Sequence, residues 1–119
     1  MEFVELCSVN GVSLFQKRKI DSPQREPLGN YSIPYPAKQV QFREFSEGQR
    51  FDWHCAPQAQ FILYLEGRVK LTTSSGEQYT FAPGDILLAN DLHGEGHISE
   101  SLSPGRAAIV VLNDSPWDQ

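Results

Sequence analysis

Long apolar runs are missing from this chain: nothing in its 119 residues approaches the ~20 consecutive apolar positions that a membrane-spanning helix requires. The start, Met1-Glu2-Phe3-Val4-Glu5-Leu6, lacks the basic opening and apolar stretch of a secretory signal. A soluble, cytoplasmic protein with no membrane partner is therefore expected. Cysteine is scarce too. Cys7 and Cys55 allow one bridge but no disulfide framework, and nothing else speaks for an oxidising compartment. Basic residues are outnumbered, ten Lys and Arg against fifteen Asp and Glu, for a formal charge of −5. That balance argues against nucleic acid, whose binding depends on clustered cations. The one dense basic run, Gln16-Lys17-Arg18-Lys19, reads as a solvated strand end or loop.

What the chain does contain points to strands. A chain this short makes one core, burying roughly two-thirds of its unfolded surface. Its 39% hydrophobic content suffices for that core, while nine Gly and eight Pro interrupt any long helical pattern. Residues 1–119 are thus read as a single domain. Residues 21–38, with four prolines, form an extended connection, and residues 113–119 either a loose tail or a segment that tucks Trp117 onto the body.

Beyond residue 38 the strand signals are dense. Val40 to Phe45 alternates between two faces, and Gln60-Phe61-Ile62-Leu63-Tyr64-Leu65 has the nearly continuous apolar character of a strand buried on both sides. Val69-Lys70-Leu71-Thr72-Thr73 and Tyr79-Thr80-Phe81 flank Ser74-Ser75-Gly76-Glu77 and predict a hairpin. Pro83-Gly84-Asp85 marks a tight turn, Ile86-Leu87-Leu88-Ala89 a buried strand, and Ala107 to Leu112 the last one. Short turns between strands favour a sandwich or barrel over crossover units.

One segment carries more than a fold. Gly48, His54, Gln60 and Gly67 occur at the spacing of the first cupin motif, and Pro83-Gly84-Asp85 resembles the turn that opens the second. The chain resembles the cupin superfamily over residues 48–100. The resemblance implies an all-β fold, one double-stranded β-helix or jelly-roll barrel, with a metal site inside it. Two departures stand out: Ala56 replaces the second His, and Gln60 stands where Glu is usual. Counting from Gly84 puts Glu95 at the third ligand position. His97 takes that place if the loop from Asp91 to Gly96 is two residues longer, and His93 is a further alternative. His97 is favoured because Gly94-Glu95-Gly96 reads as a turn and His97 as the start of a strand.

Side chains two apart on a strand share a face. Gln60, Ile62 and Tyr64 then face the pocket together, and Cys55 points away from it. The implied metal ligands are His54, Gln60 and His97, a set suited to Zn, Fe, Mn or Ni. Proposed catalytic groups are His54, His97 and Tyr64. Arg43, Asp52, Trp53, Asp91 and His93 are candidates for substrate binding: Arg43 through its fork to a carboxylate, Trp53 by stacking on a planar ligand. Asp91 can equally cap its loop, and His93 can be a surface imidazole.

Three functions follow. The first is a metal-dependent small-molecule enzyme with isomerase, lyase or dioxygenase chemistry, the second a metal-free acid–base enzyme, and the third a module that binds or senses a metabolite without turning it over. A homodimer through Phe61, Leu63 and Leu65 is expected.

Overall fold

In the computed structural model, residues 1–20, 24–26 and 29–116 are described, residues 24–26 by their backbone alone. All regular elements among them are strands: β1 (Glu2–Val9), β2 (Val12–Lys19), β3 (Gln24–Glu26), β4 (Gly29–Tyr31), β5 (Ala37–Phe45), β6 (Arg50–His54), β7 (Gln60–Glu66), β8 (Val69–Thr73), β9 (Gln78–Phe81), β10 (Ile86–Asn90), β11 (His97–Ser101) and β12 (Gly105–Leu112). Six form one sheet in the order β2-β1-β10-β7-β12-β5, four form a second in the order β6-β11-β8-β9, and β3 and β4 pair with each other. The architecture is an all-β, cupin-type jelly roll. No helix among the described residues is long and apolar enough to cross a membrane.

Alternation explains the packing. Val4 and Leu6 of β1, Leu87 and Ala89 of β10, Tyr64 of β7 and Ala107 of β12 turn toward Val69, Leu71 and Phe81 of the smaller sheet, forming the core between the layers. Their neighbours face the other way. Phe3, Phe61, Leu88 and Leu112 form a second cluster on the outer face of the large sheet, covered partly by Ile20 and Tyr35. The Phe61 ring meets those of Phe3 and Tyr35 edge-on, at 5.7 and 5.1 Å. This cover removes Phe61, only 9% exposed, from the outward dimer surface expected of Phe61, Leu63 and Leu65; of the three, Leu65 is exposed.

The predicted hairpin forms as β8 and β9, closed by a bond from the Thr73 amide to the Glu77 carbonyl. The turn before β10 is tied by Asp85, whose Oδ2 accepts from the Ala82 amide. Residues 1–20 contribute two full strands, and the basic run forms the largely exposed end of β2, as expected of a solvated strand end. The connection at 21–38 contains the β3–β4 pair, and its last two residues already belong to β5. Two cysteines do not make a bridge: Cys7 and Cys55 are free thiols. Trp117 lies outside the described residues. Before it, Ser115 donates a hydrogen bond to Asn90 Oδ1 and holds the chain to β10 there.

Candidate functional site

The barrel interior opens into a cavity of about 180 Å³. Its apolar lining is Ile62, Leu71, Leu87, Ala89 and Ile109, joined by Phe51. Its polar lining is Arg43, His54, Gln60, Tyr64, His97 and Ser99. The volume is close to the ~150 Å³ that encloses a benzene-sized guest, so the space suits one ring with a few substituents.

His54 and His97 are direct partners on neighbouring antiparallel strands. Residues so paired have Cβ atoms roughly 5 Å apart, and their rings lie 4.4 Å apart between centroids, inclined by 54°. A bulge makes the pairing possible. Phe51 pairs with Ser99 and His54 with His97, so two residues of β6, Asp52 and Trp53, oppose one of β11. The extra residue re-aims the strand. Strict alternation would put Phe51 and His54 on opposite faces, yet both line the cavity, with ring centroids 4.8 Å apart. Gly96 permits the close approach. It adopts φ +75°, and a Cβ there would lie 2.3 Å from the His54 carbonyl oxygen.

Each imidazole is fixed through Nδ1. That of His54 meets the Asp52 carbonyl at 2.7 Å, and that of His97 meets Asp91 Oδ2 at 2.6 Å. A carbonyl and a carboxylate accept, so Nδ1 donates in both rings and each Nε2 is left for a partner. Burial and the neighbouring His97 lower the pKa of His54, which keeps that ring neutral at physiological pH.

Asp91 sits behind this wall instead of in it. Fully buried, it also accepts from Ser13 Oγ at 2.7 Å and, through Oδ1, from the Ala56 amide at 3.3 Å. The residue expected to touch substrate therefore orients His97. Asp52 is likewise outside the cavity, with its side chain exposed beside Arg50 at 3.8 Å. Trp53 is exposed and does not line the cavity. His93 is exposed as well, and its carbonyl accepts from Ser8 Oγ. Glu95, the alternative third ligand, bonds Ser74 on the surface.

Tyr64 lines the cavity and stacks on Phe81, with centroids 5.0 Å apart and planes 16° apart. Burial drives its phenol pKa far upward, so the hydroxyl keeps its proton. Arg43 reaches the same cavity from β5, its guanidinium 5.2 Å from the Phe45 ring centroid. No carboxylate is among the residues lining the cavity. Cys55 points elsewhere: its thiol donates to the Gly94 carbonyl, and burial raises its pKa. Sequence reasoning missed Phe51, Ser99 and Ser13. The first depended on the bulge, and Ser13 lies 78 positions from its partner Asp91 with no local signal to join them.

Comparison with known families now bears on the whole. Residues 41–93 match the model of the AraC-like ligand binding domain, a stretch running from β5 through the loop after β10 and including Arg43, His54, Gln60 and Asp91. That match, over a little under half of the chain, supports the cupin superfamily. Among solved structures, the chain is similar to a conserved protein of unknown function from Streptococcus pyogenes: 19% identity over 65% of this chain and 76% of that one, TM-score 0.49. The curated proteins contain no match. The matched family model describes a ligand-binding domain, which supports small-molecule binding.

Proposed function

We propose that the chain is a ligand-binding, sensing cupin whose cavity takes one small cyclic organic acid. The carrying observation is the cavity's charge. Arg43 lies in a wall without carboxylates, and no ion pair engages it among the described residues. A guanidinium fork in an apolar chamber matches a ligand carboxylate in both charge and shape. The Nε2 atoms of His54 and His97 accept hydrogen bonds, so the ligand's other end carries a hydroxyl or N–H. The apolar lining and the volume select a single ring.

Hydroxybenzoate isomers are suitable probes, followed by amide NMR titration. Saturable shifts at Gln60, Ile62 and Ser99, with Arg43→Ala weakening binding at least about tenfold, support the reading. Absence of shifts at millimolar probe, or indifference to Arg43→Ala, overturns it. Recovery of the probe unchanged separates sensing from turnover.

A second reading has its own support. Imidazoles whose Nδ1 atoms are held by a carbonyl and a carboxylate are arranged as metal-bound histidines are. With Gln60, which lines the same cavity from β7 of the other sheet, they fit a divalent ion of the Zn, Fe, Mn or Ni kind, held by neutral donors. Such an ion would supply Lewis acidity toward a ligand oxygen. The chain's own residues do the rest: Asp91 orients His97, Arg43 anchors the acid and Ile62, Leu71 and Ile109 exclude water. Saturable Zn or Mn binding abolished by His54→Ala and by His97→Ala supports this reading, and dissociation constants unchanged by both variants sink it.

A further inference from the structure

β5 is an edge strand, and its nine residues carry a self-complementary pattern. Its inner edge pairs with β12, and no strand among the described residues pairs with its outer edge. Unpaired edges of this length invite another strand, and native chains usually blunt them. The other three edges of the two large sheets offer less: β2 has its Phe15 amide bound by the Glu77 side chain, β6 has five residues with a bulge at Asp52 and Trp53 in its middle, and β9 has four residues, whereas the bulge of β5 lies near its start at Lys38. β5 instead exposes Val40 by 56% and Phe42 by 80% on the face turned away from the core. Lys38 and Glu44 flank them, and neither has an ion-pair partner among the described residues.

We infer that β5 pairs with β5 of a second copy of this chain, antiparallel about a two-fold axis through Gln41, joining two six-stranded sheets into one. The register follows from the side chains. With Gln41 opposite Gln41, Val40 meets Phe42 of the second copy and Phe42 meets its Val40, an aromatic and a β-branched residue on the same face. Lys38 then meets Glu44 of the second copy, and Glu44 its Lys38, closing both ends with opposite charges. Shifting the axis to Phe42 puts Val40 against Glu44, and shifting it to Val40 puts Phe42 against Lys38. Both lose the match. A two-fold interface has to be self-complementary in this way. The bulge at Lys38, where Val111 pairs with Gln39 and Leu112 with Ala37, marks one end of the ladder. In this register Gln39 of the second copy lies across from Arg43, bringing the cavity's cation to the interface.

Nine residues a side is below the roughly twenty to thirty of a standard interface, so the dimer dissociates on dilution. Sedimentation of the full chain from about 1 µM to 1 mM should show a concentration-dependent monomer–dimer equilibrium. Phe42→Asp should weaken it at least about tenfold. Lys38→Glu and Glu44→Lys should each weaken it about tenfold by turning two attractive pairs into repulsive ones, and the double variant should return to within about threefold of the parent. All three positions are exposed, and a thermal melt verifies each fold. A monomer throughout the range, a dimer indifferent to Phe42→Asp, or a double variant no better than the singles would each overturn the proposal.

Discussion

Asp91 Oδ2 and His97 Nδ1 lie 2.6 Å apart, both side chains nearly sealed from solvent. The same oxygen accepts from Ser13, so one carboxylate joins the N-terminal hairpin to the cavity wall.

Removing that carboxylate strands two donors. Asp91→Ala leaves the Ser13 hydroxyl and His97 Nδ1 without their acceptor, while the Ala56 amide keeps the Asp91 backbone carbonyl at 3.1 Å; each buried donor left unpaired costs about 1–3 kcal/mol. Urea unfolding should show that loss. Asp91→Asn keeps the shape but can donate as well as accept, and should lose less stability while still weakening binding at His97.

Gly96 should tolerate no side chain. In Gly96→Ala the Cβ would overlap the His54 carbonyl oxygen, a backbone atom, at a positive φ that L residues rarely adopt. A loss of about 2 kcal/mol or more is expected in thermal melts, with displaced His54 ring signals in NMR. Gly76→Ala, which meets no atom within 4 Å, is the control that isolates φ strain from the clash.

Acid should destabilise the fold through His54. Its pKa in the folded state lies below the ordinary 6.5 because burial disfavours the imidazolium. In the window between the lowered value and 6.5, the unfolded chain binds the extra proton. Stability therefore rises with pH through that window and levels off above it. Denaturation at a series of pH values should show this slope for the parent and a shallower one for His54→Gln.

Phe81 packs beneath Tyr64. Fully buried and stacked on that ring, it should cost about 3–5 kcal/mol on replacement by Ala. Loss of ring-current shifts at Tyr64 would accompany a lower midpoint; an unchanged midpoint would show that the site collapses around the gap.

Much of this molecule was legible before any coordinates. The strand at Gln60, the hairpin after it, the turn at Gly84 and the β12 run were marked by period-two alternation and turn residues, which act within a few positions of each other. That His54, Gln60 and His97 all line one cavity was approached through motif spacing and parity for the same reason. Other features had no local signal. The bulge that brings Phe51 beside His54 is a property of two paired strands, and the Ser13–Asp91–His97 chain joins residues up to 84 positions apart. Asp52 and Trp53 looked like pocket residues because they adjoin His54 in sequence; pairing against β11 turned them outward. Local chemistry determined which segments are strands and which side chains they offer. Tertiary pairing decided which of those side chains meet, because register and bulges exist only between strands.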